Sequence, residues 1–182
     1  MKKLLIVLLL LTAPLLMIYS HPHINIHAYT YYYFDNKGLI GLYVQWIYDP
    51  LFSSQIIYEC DTDEDMVLSA DEIEQVRSYY FTRLSSDGCF TRITLDRTDI
   101  PIPTPLNFSA AIDKEDEVVI FTFYLPLEEP YSRGKNRLTV AFADPTNYTA
   151  FICPQRAVAV EGATHKITDV YINRLGSIAF TY

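Results

Sequence analysis

His23-Ile24-Asn25-Ile26-His27-Ala28-Tyr29-Thr30-Tyr31-Tyr32-Tyr33-Phe34, then Asp35-Asn36-Lys37-Gly38, then Leu39-Ile40-Gly41-Leu42-Tyr43-Val44-Gln45-Trp46-Ile47-Tyr48, is the stretch that decides the fold class. β-Branched and aromatic residues dominate both runs, and turn formers separate them. The stretch reads as a long β-hairpin. On its first strand His23, Asn25 and His27 share one face, while Ile24, Ile26 and Ala28 share the other.

Asp49-Pro50 follows at once and predicts a helix. Asp49 serves as the cap, and Pro50 suits the first helical position because it has no N–H to leave unpaired. A second helix is expected from about Ala70 to Leu84, where Ile73, Val76, Tyr80 and Leu84 recur at three and four. After Gly88 the pattern returns to short strands, near 90–95, 104–111, 117–125, 137–143, 148–152, 157–161, 166–173 and 177–182. The prolines at 101, 103 and 105 mark an extended connector or a sheet edge. The class is therefore α+β and β-rich: an antiparallel sheet or sandwich, with a helix–EF-hand-like loop–helix inserted at about residues 49–85.

The loop between the helices, Asp61-Thr62-Asp63-Glu64-Asp65-Met66-Val67-Leu68-Ser69-Ala70-Asp71-Glu72, has the spacing of an EF-hand calcium loop. Calcium takes six to eight oxygens. Asp61, Asp63 and Asp65 would supply them alternately, followed by the Val67 carbonyl, with Glu72 closing the site through two oxygens. One position departs: Met66 stands where the loop needs glycine for a left-handed turn, at a cost of about 1–2 kcal/mol. Ser69 and Glu72 also make a capping box for the second helix, which requires no ion. An ion here would brace the two helices.

Upstream of the hairpin, Lys2 and Lys3, the apolar run Leu4–Leu11 and Ile18-Tyr19-Ser20 have the layout of a signal peptide over residues 1–20, cut after Ser20. The mature chain, 21–182, is one domain long enough for a core. The expected location is periplasmic or secreted, with no direct membrane binding once the signal is removed. Formal net charge is −8, and loss of the two lysines makes it more negative, which disfavours nucleic acid and suits cations. Cys60, Cys89 and Cys153 lack zinc-knuckle spacing; in an oxidising compartment one pair would bridge and one thiol would remain. Asn107-Phe108-Ser109 and Asn147-Tyr148-Thr149 fit the glycosylation triplet, relevant only in a eukaryotic secretory pathway.

Three of the four histidines, His21, His23 and His27, fall just after the predicted cut. Imidazoles two positions apart on a strand converge on one ion; His27 lies too far along to share it with His21. A free amine on His21 would add a second nitrogen, giving with His23 or His165 a site suited to copper, nickel or zinc. Pro22 removes the backbone N–H that the other amino-terminal copper and nickel site requires. No nucleophile has a placed triad partner and no glycine loop cradles phosphate, so the chain reads as non-enzymatic. A copper-dependent oxidative enzyme using His21 is one alternative, and a calcium-stabilised β-rich interaction module is another.

His-Pro-His after a signal, Trp46-Ile47-Tyr48-Asp49 ending a strand, the aspartate-rich loop and Asp144-Pro145-Thr146-Asn147-Tyr148 together resemble a bacterial family of exported proteins, the domain-of-unknown-function family one thousand and seven. The resemblance spans nearly the whole mature chain. It implies a periplasmic component of an ABC-type transport system, with a membrane metal permease, some of nickel/cobalt type, as partner. Carried over by position, it implies His21, His23, Asp49 and Asp144 as site residues. The expectation is an exported metal-binding accessory of a transition-metal (Zn, Ni, Co or Cu) transport system, with calcium as a second ion.

Overall fold

Asp35 closes the hairpin: its Oδ1 accepts the N–H groups of Lys37 and Gly38 at 2.7 and 3.0 Å, an Asx turn. It joins β1 (Ile24–Phe34) to β2 (Gly38–Tyr48), which pair antiparallel from Ile26↔Tyr48 onward. The computed structural model describes residues 22–131, 136–163 and 167–182. The expected signal segment 1–20, His21, His165 and the first residue of the strand expected from Lys166 lie outside them.

The helical insertion begins where the cap predicts. Asp49 Oδ1 accepts the Phe52 N–H at 3.0 Å, and Pro50 opens α1 (Pro50–Cys60). α2 (Ala70–Val76) starts at Ser69 with both bonds of the capping box formed. The single helix expected from Ala70 to Leu84 is interrupted by a π-helical turn at Arg77–Phe81 before α3 (Thr82–Ser86). The cause is local: the Thr82 N–H and hydroxyl both bond the Arg77 carbonyl, the hydroxyl at 3.0 Å, which widens the turn.

The remaining strands are β3 (Thr91–Leu95), β4 (Thr98–Ile100), β5 (Leu106–Asp113), β6 (Val118–Pro130), β7 (Arg137–Phe142), β8 (Thr149–Ile152), β9 (Val158–Glu161), β10 (Thr168–Asn173) and β11 (Ser177–Thr181). They form two sheets. The larger has the order β5-β6-β2-β1-β8 with β9 also on β1; the smaller has the order β10-β11-β7-β3-β4. The other pairings are antiparallel, as expected, but β8 and β9 both run parallel to β1, so the larger sheet is mixed. β7 belongs to the smaller sheet, so the chain crosses over after Phe142 and meets the free edge of β1 running in the same direction.

The core lies against one face of the larger sheet. At one end Tyr32 and Phe34 meet Phe180 and Tyr182 of the smaller sheet, with ring centroids 4.7 and 4.9 Å apart. At the other end Phe81 packs on Phe123 and Phe108, and Phe52 on Tyr48. Trp46, fully buried, sits between and touches Phe123, Phe142 and Phe151. The helices thus cover the larger sheet at the end where Phe52 and Phe81 pack. The expected disulfide is also corrected: Cys60, Cys89 and Cys153 are all buried and free. They sit on α1, the turn before β3 and the end of β8, and burial pushes the Cys89 thiol up to about 12 and the Cys153 thiol up to about 11.

Candidate metal centre

The acidic loop leaves α1 at Asp61 and bends back to Ser69. Glu64 and Met66 both take left-handed backbone, at φ 59° and 61°, so the turn at the usual glycine position forms with methionine in it. Asp61 Oδ2 accepts the Met66 N–H at 3.0 Å and Asp65 Oδ1 accepts the Val67 N–H at 2.7 Å. These bonds draw the carboxylates inward. Asp61, Asp63 and Asp65 each offer an oxygen within 4.8 Å of the others. Asp61 is 5% exposed, and its Oδ1 has no hydrogen-bond partner. Leu68 is buried, whereas Val67 is exposed.

Glu72 stands outside this cluster. Its Oε1 accepts from the Thr62 N–H and hydroxyl at 2.6 and 2.7 Å, and its Oε2 accepts from the Ser69 N–H and hydroxyl, both at 2.9 Å. Those bonds, the Thr62 hydroxyl foremost, hold its carboxyl down to about 2. The residue expected to close the ion site therefore closes the loop onto α2. Thr62 was not expected in this role; the only signal for it is a hydroxyl at the second loop position.

The histidine end is assembled from three distant stretches. His23, Asn25 and His27 are exposed on the outer face of β1, alternating with half-buried Ile24 and buried Ile26 and Ala28. The His23 N–H bonds the Tyr148 carbonyl at 2.8 Å, and its ring lies 4.8 Å from the Tyr148 ring. Asp49 Oδ2 accepts the Asn25 N–H at 2.6 Å while its Oδ1 caps α1. Asp144 is buried at the crossover: Oδ1 accepts from the Thr146 N–H and hydroxyl at 2.8 and 2.6 Å, and Oδ2 accepts from the Thr149 N–H at 2.9 Å. Burial raises the Asp144 carboxyl, but the bonds from Thr146 and Thr149 outweigh it and leave it below the usual range.

The stretches that carry the resemblance therefore meet, but not as one ligand set. Among the described residues, the group of three His, Cys, Asp or Glu side chains with atoms close enough to hold an ion is Asp61, Asp63 and Asp65. His23 and His27, four apart on a strand, are about 13 Å apart at Cα and do not share an ion. On the inner side of β1 a cleft of about 430 Å³ opens between Ile24, Asp144 and Tyr148 and, on the helices, Tyr80, Arg83 and Asp87. Neither His23 nor His27 lines it.

A family model described as a protein of unknown function (DUF1007) matches residues 5–172. The chain belongs to that family. The match takes in the His-Pro-His stretch, the acidic loop and the Asp144–Tyr148 crossover together. No curated protein matches the chain. Among the described residues, no helix is long and apolar enough to cross a membrane.

Proposed function

We propose that this protein is an exported, β-rich module whose helical insertion is braced by a calcium-type cation in the Asp61–Glu72 loop. The observation that carries this reading is Asp61: a nine-tenths buried carboxylate with an unpartnered oxygen, beside the carboxylates of Asp63 and Asp65. Burying an unsatisfied charge is unfavourable, and a hard cation offsets it with the chemistry that oxygen ligands provide. The Val67 carbonyl would add a fourth oxygen, while Glu72 is held by Thr62 and Ser69. The test is thermal unfolding with and without calcium. Calcium at about 100 times its Kd adds about 2.7 kcal/mol of stability. The rise in Tm should vanish in Asp61→Ala, and an unchanged Tm in the wild-type protein would overturn the reading.

A second reading is favoured by a separate observation: the stretches His-Pro-His and Asp-Pro-Thr-Asn-Tyr, far apart in sequence, are brought into contact at His23 and Tyr148. It makes the protein a periplasmic metal-binding accessory of a transition-metal permease or ABC-type transporter, with His21 and His23 holding the ion. Asp49 and Asp144 would then fix the strand end through their backbone bonds, as supports for the site. Metal analysis of the protein secreted by its own signal tests this. Stoichiometric zinc, nickel, cobalt or copper should be lost in His21→Ala/His23→Ala; its persistence would overturn the assignment.

A further inference from the structure

A large surface cavity among the described residues lies on the helical side. A groove of about 580 Å³ runs between α1, the acidic loop and the β5–β6 turn. Its volume falls within the roughly 300–1,000 Å³ of sites that take a ligand or a few side chains. Two properties set its chemistry. Its charged lining is Asp61, Glu64, Asp116 and Glu117, with no cation among the lining residues described. Lys114, the cation in the same turn, is turned onto the loop, where its Nζ donates to the Asp65 carbonyl at 3.0 Å. The ion pairs among the described residues, Arg77 with Glu74 and Arg92 with Asp99, lie elsewhere.

The groove is also apolar. Ile57, Tyr58 and Met66 form its floor and rim. Tyr58 is 89% exposed, and Leu51, one heptad earlier on the same face of α1, is 78% exposed. Both side chains lie in water on one helix face, and Tyr58 lines the groove. The nine-tenths buried Asp61 carboxylate, with its unpartnered Oδ1, is part of the wall. The groove also leads out toward His27: Pro50 and Asp116 line both it and a smaller pocket of about 360 Å³ formed by Asn25, His27 and Asp49.

The geometry points to a docking groove for a cationic, amphipathic segment of a partner protein, with Lys or Arg against Glu64, Asp116 and Glu117 and an apolar residue against Tyr58 and Met66. Charge complementarity selects this occupant. An anionic membrane or nucleic acid is repelled by the same carboxylates, and a second copy of this acidic chain brings more negative charge to a negative wall. The groove shares Asp61 and Glu64 with the acidic loop, whereas Asp116 and Glu117 lie outside both the loop and the histidine strand, so substitutions there test the groove alone.

The experiment is a fluorescence-anisotropy titration in chelator, with a dye-labelled peptide of alternating lysine and leucine and its glutamate–leucine counterpart. The lysine peptide should bind and the glutamate peptide should not. Asp116→Asn/Glu117→Gln should weaken binding at least tenfold, and Tyr58→Ala several-fold. Glu161→Gln/Asp169→Asn removes the same charge at exposed positions outside the groove and should leave affinity unchanged. Equal losses in the two double variants, or full affinity in the groove variants, would overturn the proposal. Because chelator removes calcium, failure here leaves the thermal test of the loop untouched.

Discussion

Asp144 turns the chain from one sheet to the other with both carboxylate oxygens accepting backbone N–H groups. Asp61, at the end of α1, is as deeply buried, and one of its oxygens accepts nothing. A buried carboxylate with its donors in place organises the backbone around it. A buried carboxylate without them is a local cost, which a bound cation would offset. The same residue type at the same depth is thus fully bonded in one place and left with an open oxygen in the other. Both lie in stretches that the family match covers, so belonging to the family does not tell them apart.

The largest expected effect tests the architectural half of this contrast. Asp144→Ala leaves the Thr146 and Thr149 N–H groups without their acceptor, a loss of about 3 kcal/mol for two such donors. For a chain of this size that lowers Tm by about 10 °C. In calcium-free buffer Asp61→Ala loses one N–H acceptor but also removes an unpartnered charge beside two others, so its stability should stay within about 1 kcal/mol of the parent. Differential scanning calorimetry of the two variants reads the difference directly. An Asp61→Ala loss as large as that of Asp144→Ala would erase the distinction.

Much of this was legible from local chemistry. The Asp35 turn, the Asp49 cap with Pro50 behind it and the Ser69–Glu72 capping box depend on residues a few positions apart, and each forms as its sequence predicts. The alternation of His23, Asn25 and His27 with the apolar residues of β1 is likewise set by strand geometry alone. What was not legible depends on long-range pairing. Parallel docking of β8 and β9 on β1 follows from the crossover out of the smaller sheet, and no local pattern encodes that. The bond from Thr62 to Glu72, the π turn at Arg77–Phe81 and the burial of three cysteines apart from one another arise once the loop and helices are packed. The acidic wall formed by Asp116 and Glu117 is visible in sequence only as a charged turn; its meeting with α1 requires the fold.

A smaller effect sharpens the other half of the contrast. Met66 holds φ at 61° where a glycine would do so without strain, and its N–H is the donor to Asp61 Oδ2. Met66→Gly relieves about 1–2 kcal/mol of left-handed strain in the folded protein and gives part of it back through the greater freedom of glycine in the unfolded chain. Net stability in calcium-free buffer should therefore rise by less than about 1 kcal/mol. If the strain relieved is strain that opposes ion binding, calcium should bind up to about tenfold more tightly, since 1.4 kcal/mol corresponds to a factor of ten. Isothermal titration with calcium separates the two contributions. A variant that gains stability but not affinity would mean that the turn is already fixed before the ion arrives, and that the unpartnered Asp61 oxygen, rather than loop shape, sets how tightly the cation is held.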